Sequence, residues 1–418
     1  MSVAAVVPPL RVAFLNVSAE MGGSEVSLLE LVRGLRRQAP AWHLDVVLPR
    51  EGPLAAAARA CGAEVHLLPL PSRLARLGES AGRGAAGVVD RGAALVLAAG
   101  SVGGYSRRLS ALLARLAPDI VHSNGFKLHV LAARVVPAST ALVWHIHEYV
   151  ANRPISRTLL RRYAPRCAAV VANSQSVAAD VASVLGGAVH VTRIYNAVDP
   201  AEFSPEGPAI DLDRLSGLSP ASPGTIRVGL VATYGRWKGH ATFVTALSRI
   251  STSLPVRGYI IGAALYDTGG SQHGRAELEK LIEASGLAGR IGLTGFVERP
   301  AAAMRALDVV VHASTQPEPF GLVIAEGMAT GRPVIVSAGG GAGELVTAGV
   351  DALTHPPGDA AALARCIERL AGDAPLRARL SAAARQSALR RFDPEEFTRR
   401  FIAVYQEAHA RVRTHAGQ

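Results

Sequence analysis

The sequence predicts an α/β protein built from two Rossmann-like, doubly wound domains that face a central cleft. Three observations predict it. Short apolar runs alternate with helix-period segments through both halves of the chain. The alternation breaks near residue 200 in a stretch rich in Pro, Ser, Gly and Asp. At 418 residues, the chain is too long for one comfortable hydrophobic core.

The elements follow in order. RVAFLNVS (11–18) is the first strand, and SEVSLLELVRGLRR (24–37) is a helix with Val26, Leu29 and Leu35 near one face. LDVVLP, AEVHLLPL, DIVHSNG, ALVWHIHE, AAVVANS and HVTRIYN continue the first half as strands. Strand and helix in alternation make a mostly parallel sheet covered on both faces. DPAEFSPEGPAIDLDRLSGLSPASPG (199–224) reads as linker or loop. Then TIRVGLVATYG, VRGYIIG, RIGLTGF, VVVHAS, RPVIVSA and DALTHP restart the strands. The amphipathic PEEFTRRFIAVYQEAHARV (394–412) is a final helix, with Asp393 as its cap and Pro394 in its first turn. The expected domains are residues 1–200, a linker 201–224, residues 225–392, and a C-terminal helix at 393–418 returning across the cleft to the first domain.

Composition narrows the function. Net charge is +11, which favours an anionic partner. The arginines are scattered and no nucleic-acid recognition module accompanies them, so no nucleic-acid partner is expected. Only three lysines occur, Lys127, Lys238 and Lys280, which makes each worth attention. The three cysteines, Cys61, Cys167 and Cys366, follow no metal or disulfide pattern and fit a reducing compartment. The N-terminus lacks a basic region ahead of its apolar run, and GVVDRGAALVLAAG (87–100) is too short and too charged to span a bilayer. The expectation is a cytoplasmic protein. The arginine-bearing stretches SRLARLGESAGRGAAGVVDRG (72–92) and SRRLSALLARLAPD (106–119) leave open a peripheral contact with acidic lipid at the inner membrane face, a glycan contact, or plain solvated surface.

In open α/β sheets ligands sit beyond the carboxyl ends of the strands, so the residues just after each strand carry the chemistry. Gly22 and Gly23 allow close backbone approach and precede a helix N-terminus, which favours an anion; a plain tight turn explains them as well. His145 and His147 share one face of a strand end, where an imidazole can meet a hydroxyl or be satisfied structurally. A zinc pair would need a third ligand, and none is evident. Arg236 and Lys238 lie between Gly235 and Gly239 after a strand, two cations suited to a pyrophosphate or to a solvated turn. QPEPFGLVIAEG (316–327) places Glu318 in a loop and Glu326 inside a helix that begins around Phe320 to Leu322. The two carboxylates stand roughly 10 Å apart along the helix axis, with first-turn amides between them. That suits an extended ligand with hydroxyls at both ends and an anion in the middle, such as a nucleoside diphosphate sugar. The glycines 339–341 and 343 again let amides meet a phosphate, and Glu344 orients a ligand or caps a helix.

Together, SxxPEPFGxxxxEGMAxGRPVI with its Gly-rich turn, IYNAVDPAEF and DIVHSNG resemble the retaining glycosyltransferases of family four, which have the GT-B fold. The resemblance runs from LNVSAEMGGSE to FIAVYQEAH. It implies that Glu318 contacts donor-sugar hydroxyls, Glu326 the nucleotide ribose and Lys238 the diphosphate. It also implies that the amides of Phe320, Gly321, Leu322, Gly340 and Gly341 help hold the donor. Gly22 and Gly23 match a loop approaching the donor phosphate, His147 matches the active-site histidine, and Asn196 and Asp199 match the inter-domain segment. The catalytic set so implied is His147, Glu318 and Lys238. Where the family often has Gly-Arg, this chain has Ala232-Thr233, and Arg236 is expected to supply the missing charge. The implied reaction moves a sugar, with retention, from a nucleoside diphosphate sugar to a hydroxyl acceptor: a glycan, a lipid-linked acceptor or a natural product. No DxD pair stands where a metal-dependent transferase needs one, so neither a metal nor another cofactor is expected beyond the donor as co-substrate. The alternatives are a sugar-nucleotide epimerase or a phosphorylase on the same fold, or a non-catalytic glycan- or nucleotide-binding regulator.

Overall fold

A computed structural model describes residues 9–72, 88–264 and 270–416. The chain forms two compact units, residues 1–197 with 394–418, and residues 198–393. Each holds one parallel sheet.

The first sheet has seven strands: β1 (Arg11–Leu15), β2 (His43–Leu48), β3 (Glu64–Leu67), β4 (Ile120–Asn124), β5 (Ala141–Ile146), β6 (Ala169–Ala172) and β7 (Val191–Arg193). Their order is β3-β2-β1-β4-β5-β6-β7. Each lies on an apolar run that the sequence marks as a strand. β4 and β5 are buried along their whole length, as strands covered on both faces must be. One face packs Phe14, Leu44, Val46 and Val143 against the helix Gly23–Gln38.

The C-terminal helix, Pro394–Ala416, belongs to this unit. Its Phe397, Phe401, Ile402, Tyr405 and Ala408 complete the same core, beside Trp42. Their spacing is the three-to-four-residue repeat that puts one helix stripe on a core. Gly34 permits the close approach of the two helices, since a Cβ there would lie 1.8 Å from Thr398 Oγ1.

The second sheet has six strands: β8 (Ile226–Val231), β9 (Val256–Ile261), β10 (Ile291–Gly295), β11 (Val309–His312), β12 (Val334–Ser337) and β13 (Leu353–His355). Their order is β10-β9-β8-β11-β12-β13. In both sheets the order reverses once, between β1 and β4 and between β8 and β11. Those reversals are where adjacent crossovers leave on opposite faces and open a crevice at the strand ends.

One boundary differs from expectation. The stretch 201–224, expected as a linker, is built into the second unit. It carries a short helix, Leu212–Leu215, whose buried Asp213 accepts hydrogen bonds from Tyr259 Oη (2.6 Å) and Arg257 Nη1 (2.7 Å). Pro, Ser and Gly content marks a loop; it does not show that one acid inside the loop anchors it to β9. Residues 73–87, the core of one arginine-bearing stretch, lie outside the described residues. Among the described residues no helix is long and apolar enough to cross a membrane.

Candidate active site

In the second unit the loops after β8 and β11 meet at the sheet's switch point. The chain leaves β8 through a single 3-10 turn, Arg236–Lys238, and ends it at Gly239. Gly239 has φ +80°, and a Cβ there would lie 1.8 Å from the Ala313 carbonyl oxygen just past β11. Only glycine allows this approach. The Thr315 amide donates to the Trp237 carbonyl (2.8 Å) and ties the two loops together.

This geometry delivers Lys238 to Glu318. The Lys238 Nζ donates to both carboxylate oxygens, at 3.0 and 2.9 Å, while lying 3.9 Å from the centre of the Trp237 ring. Ser314 Oγ donates to Glu318 Oε2 (2.8 Å), and His312 Nε2 lies 3.3 Å from it. Glu318 is 6% exposed. Burial alone would raise its carboxyl; the Lys238 ammonium and the His312 hydrogen bond outweigh burial and hold it down at about 2. The site therefore keeps a fixed anion and a fixed cation side by side.

The Gly-rich turn after β12 closes on the same loop. The Glu318 amide donates to the Gly339 carbonyl (3.1 Å), and Glu318 forms an isolated bridge with Gly340. Gly341 opens the next short helix, Gly341–Glu344, behind Gly340 at φ +66°. Phe320 is buried edge-on against Phe392, so its ring is structural. Gly321, at φ +91°, is the N-cap of the helix Leu322–Ala329. The helix starts where the sequence places it, with Glu318 before it and Glu326 inside it. Glu326 is partly buried and, among the described residues, no hydrogen bond or ion pair holds its carboxylate. Burial, reinforced by the charge of Glu202, pushes this carboxyl up to about 8. A carboxyl raised to about 8 is largely protonated near pH 7, and hydrogen bonds donated by a ligand's hydroxyls would favour its ionised form.

Arg236 is not brought to this pair. Its guanidinium forks onto Glu277, with Nη1 and Nη2 at 2.7 and 3.0 Å, and its Nε donates to the Gly270 carbonyl. The charge expected to replace the one missing at Thr233 is engaged elsewhere, because the helix Arg275–Ala284 presents Glu277 to it.

In the first unit the ends of β4 and β5 gather a second cluster. His145 and His147 rings stand 3.9 Å apart, on the shared face that alternation predicts. Asn124 Oδ1 accepts from His147 Nε2 (3.3 Å) and His122 Nε2 (3.4 Å). The Tyr405 hydroxyl, on the C-terminal helix, then donates to His122 Nδ1 (2.6 Å). Burial pushes His147 down to about 4, and burial with the neighbouring His147 pushes His122 down to about 3. The histidines are therefore neutral near pH 7, hydrogen-bonding groups rather than cations. Gly22 caps the helix Gly23–Gln38; its amide donates to Glu25 Oε2 (3.2 Å), while a Cβ at Gly23 would meet nothing within 4 Å. Asn196 is buried and accepts from Ser27 Oγ (2.9 Å), and Asp199 accepts from the Ala201 amide (2.9 Å).

Sequence reasoning missed Ser314, His312, Asn124 and Tyr405. Ser314 and His312 were visible as polar residues ending an apolar strand. Tyr405 carries no local signal, since its partner is 283 residues away.

Comparison with known proteins adds the following. The family model for glycosyl transferases group 1 matches residues 219–387, and that for Glycosyltransferase Family 4 matches residues 21–202. The lipopolysaccharide core biosynthesis glycosyltransferase LpsE of Rhizobium meliloti is 28% identical over 56% of this chain and 63% of its own length. The D-inositol 3-phosphate glycosyltransferase of Xylanimonas cellulosilytica is 34% identical over 58% of this chain and 60% of its own. The chain thus spans less than two thirds of these curated relatives. The crystal structure of Anabaena Alr3699/HepE in complex with UDP-glucose is similar across 94% of this chain and 98% of that one, with a TM-score of 0.74 and 26% identity.

Proposed function

This chain belongs to the group 1, family four glycosyltransferases and has their GT-B fold, and from that premise we propose that it moves a sugar from a nucleoside diphosphate sugar to a hydroxyl acceptor. The observation that carries the reading is the arrangement at the second switch point. Lys238 and Glu318 form a buried pair at one end, and Glu326 waits without a partner inside the helix that begins between them.

The chemistry follows from the charges. Displacing the diphosphate at the anomeric carbon builds negative charge on the leaving group. In this reading Lys238 is the cation for that charge, and the amides around Gly321–Leu322 and Gly340–Gly341 add their dipoles to it. Glu318 accepts hydrogen bonds from sugar hydroxyls. Glu326 accepts from the ribose diol, whose hydroxyls would favour the ionised form of a carboxyl held at about 8. In this reading Gly22 and Gly23 approach the diphosphate, and His147, neutral and held by Asn124, hydrogen-bonds the transferred sugar. Retention follows if the acceptor attacks from the face the phosphate leaves, the departing phosphate taking the proton. No side-chain nucleophile and no divalent ion are required.

UDP-sugars are the first donors to examine, because the Anabaena neighbour was crystallised with UDP-glucose. The acceptor is a glycan, a lipid-linked saccharide or a small polyol. The exposed Ile155 and Leu159, on a helix that also carries Arg157, Arg161 and Arg162, would suit a peripheral contact with anionic lipid.

The test uses UDP-, GDP-, ADP- and dTDP-sugars without acceptor, following calorimetric binding, nucleotide release and sugar identity. The expected outcome is selective binding of one donor, lost in Glu326→Ala, with slow hydrolysis. An altered sugar nucleotide would mean epimerisation. Binding with no turnover in an acceptor screen would mean a regulator. Absence of binding to every donor would overturn the site.

A further inference from the structure

The edge of the first sheet carries a second constellation, away from β4 and β5. Asp45 on β2 pairs in register with Glu64 on β3. His43 lies two residues before Asp45, and His66 two residues after Glu64. The pleat therefore puts all four side chains on one face of the sheet. His43 Nε2 is 3.4 Å from Asp45 Oδ1 and 3.9 Å from Glu64 Oε2. One ligand atom each from His43, Asp45 and Glu64 lies within 4.8 Å of the others.

The decisive feature is Asp45. It is 0% exposed, and its Oδ2 has no hydrogen-bond partner among the described residues. His66 Nε2–H donates to the other oxygen, Oδ1, at 2.7 Å. Histidine–aspartate hydrogen bonding thus accounts for one carboxylate oxygen and leaves the second buried and unsatisfied. Native interiors rarely leave a carboxylate oxygen so.

We propose that His43, Asp45 and Glu64 form a divalent cation site of the zinc class, with His66 holding the Asp45 carboxylate through Oδ1 and leaving Oδ2 free of any hydrogen bond among the described residues. Two ligand atoms bound at about 2.0–2.2 Å across a tetrahedral angle stand about 3.3–3.6 Å apart. The separation of His43 from Asp45 Oδ1, 3.4 Å, already falls in that range, and the unpartnered Oδ2 lets the same carboxylate ligate while His66 keeps Oδ1. The His43–Glu64 separation is a few tenths of an ångström longer, and the Glu64 side chain, 64% exposed, is free to close it. One imidazole and two carboxylates are a borderline-hard set that suits Zn²⁺. A hydrogen bond into a ligating carboxylate is the support such ligands receive. The three ligands come from the two outermost strands on one side of the sheet, so a bound ion would clip β3 to β2. The site lies at the edge of the first sheet, and no step of the proposed sugar transfer is routed through it.

The test is calorimetry and equilibrium dialysis of the full chain, stripped with chelator, against Zn²⁺ alone. One equivalent should bind, and His43→Ala or Glu64→Gln should each weaken it at least tenfold, the double variant abolishing it. Both positions are solvent-exposed enough for these variants to fold, which circular dichroism checks. Asp45→Asn should also lose the ion if it folds, and His66→Ala should weaken binding without abolishing it. Unchanged stoichiometry and affinity in the His43→Ala/Glu64→Gln variant would place any zinc on other histidines and overturn the proposal. So would the absence of saturable uptake by the unmodified chain.

Discussion

Replacing Lys238 by alanine strips the buried Glu318 carboxylate of its cation. The size of the effect can be worked from the site. Glu318 is held at about 2 against an ordinary 4.5, and each unit of displacement corresponds to about 1.36 kcal/mol. The surroundings therefore favour the charged form by about 3 kcal/mol, net of burial, within the range for breaking a buried pair. Both partners are mostly buried, Lys238 at 20% and Glu318 at 8% side-chain exposure, so solvent screening takes little from this figure. In a unit of this size about 3 kcal/mol lowers the melting temperature by about 6–12 °C. The pH dependence has a definite sign. A depressed carboxyl contributes stability that is full above about 4.5 and is lost as pH falls toward about 2. Thermal and urea melts at pH 7 and pH 3 should show Lys238→Ala far less stable than the parent at neutral pH, and the gap narrowing in acid. The double variant Lys238→Met/Glu318→Gln removes both charges and should recover most of the loss. Two single variants that each cost under about 0.5 kcal/mol and add without coupling would refute the reasoning, because they would make the pair an ordinary surface contact.

Two further outcomes are expected. Glu326→Gln should weaken donor binding by tenfold or more, while its effect on stability grows more favourable with pH. The parent carboxyl sits at about 8, so its burial costs nothing below about 4.5, costs progressively more as pH rises, and levels off above about 8; chemical denaturation at pH 5, 7 and 9 checks this, and parallel curves would contradict it. The first unit should be the acid-labile one. His122 and His147 are held down at about 3 and about 4, and burial also lowers His129 and His145. Unfolding releases them to take up protons, so stability falls as pH drops below about 6.5. Hydrogen exchange at pH 5 and pH 7 should show the amides of β4 and β5 losing protection before those of β8 and β11, and the reverse order would count against the reading.

Much of the architecture lies in the sequence itself. A parallel sheet covered on both faces needs runs such as ALVWHIHE and VVVHAS, and those runs mark β5 and β11 without any tertiary information. The start of the helix at Leu322 is equally local, because Pro319 and Gly321 confine where a helix can begin. Lys238, Glu318 and His147 stand out in the sequence because each follows a strand, at the end where open parallel sheets bind ligands, and Glu326 stands out inside the helix that follows Glu318. Only the tertiary structure decided how those groups are paired. It turned Arg236 to Glu277, joined Lys238 to Glu318 across 80 positions, and gave the Glu326 carboxyl no hydrogen-bond partner among the described residues. It set Tyr405 against His122 and packed Asp213 under β9, making an apparent linker part of a domain. It also lined up His43, Asp45 and Glu64 across two strands. The physical reason is common to all of these. Backbone periodicity is encoded within a few residues, whereas the partner of a charged or polar side chain is chosen by chain segments that meet only after the sheet has formed.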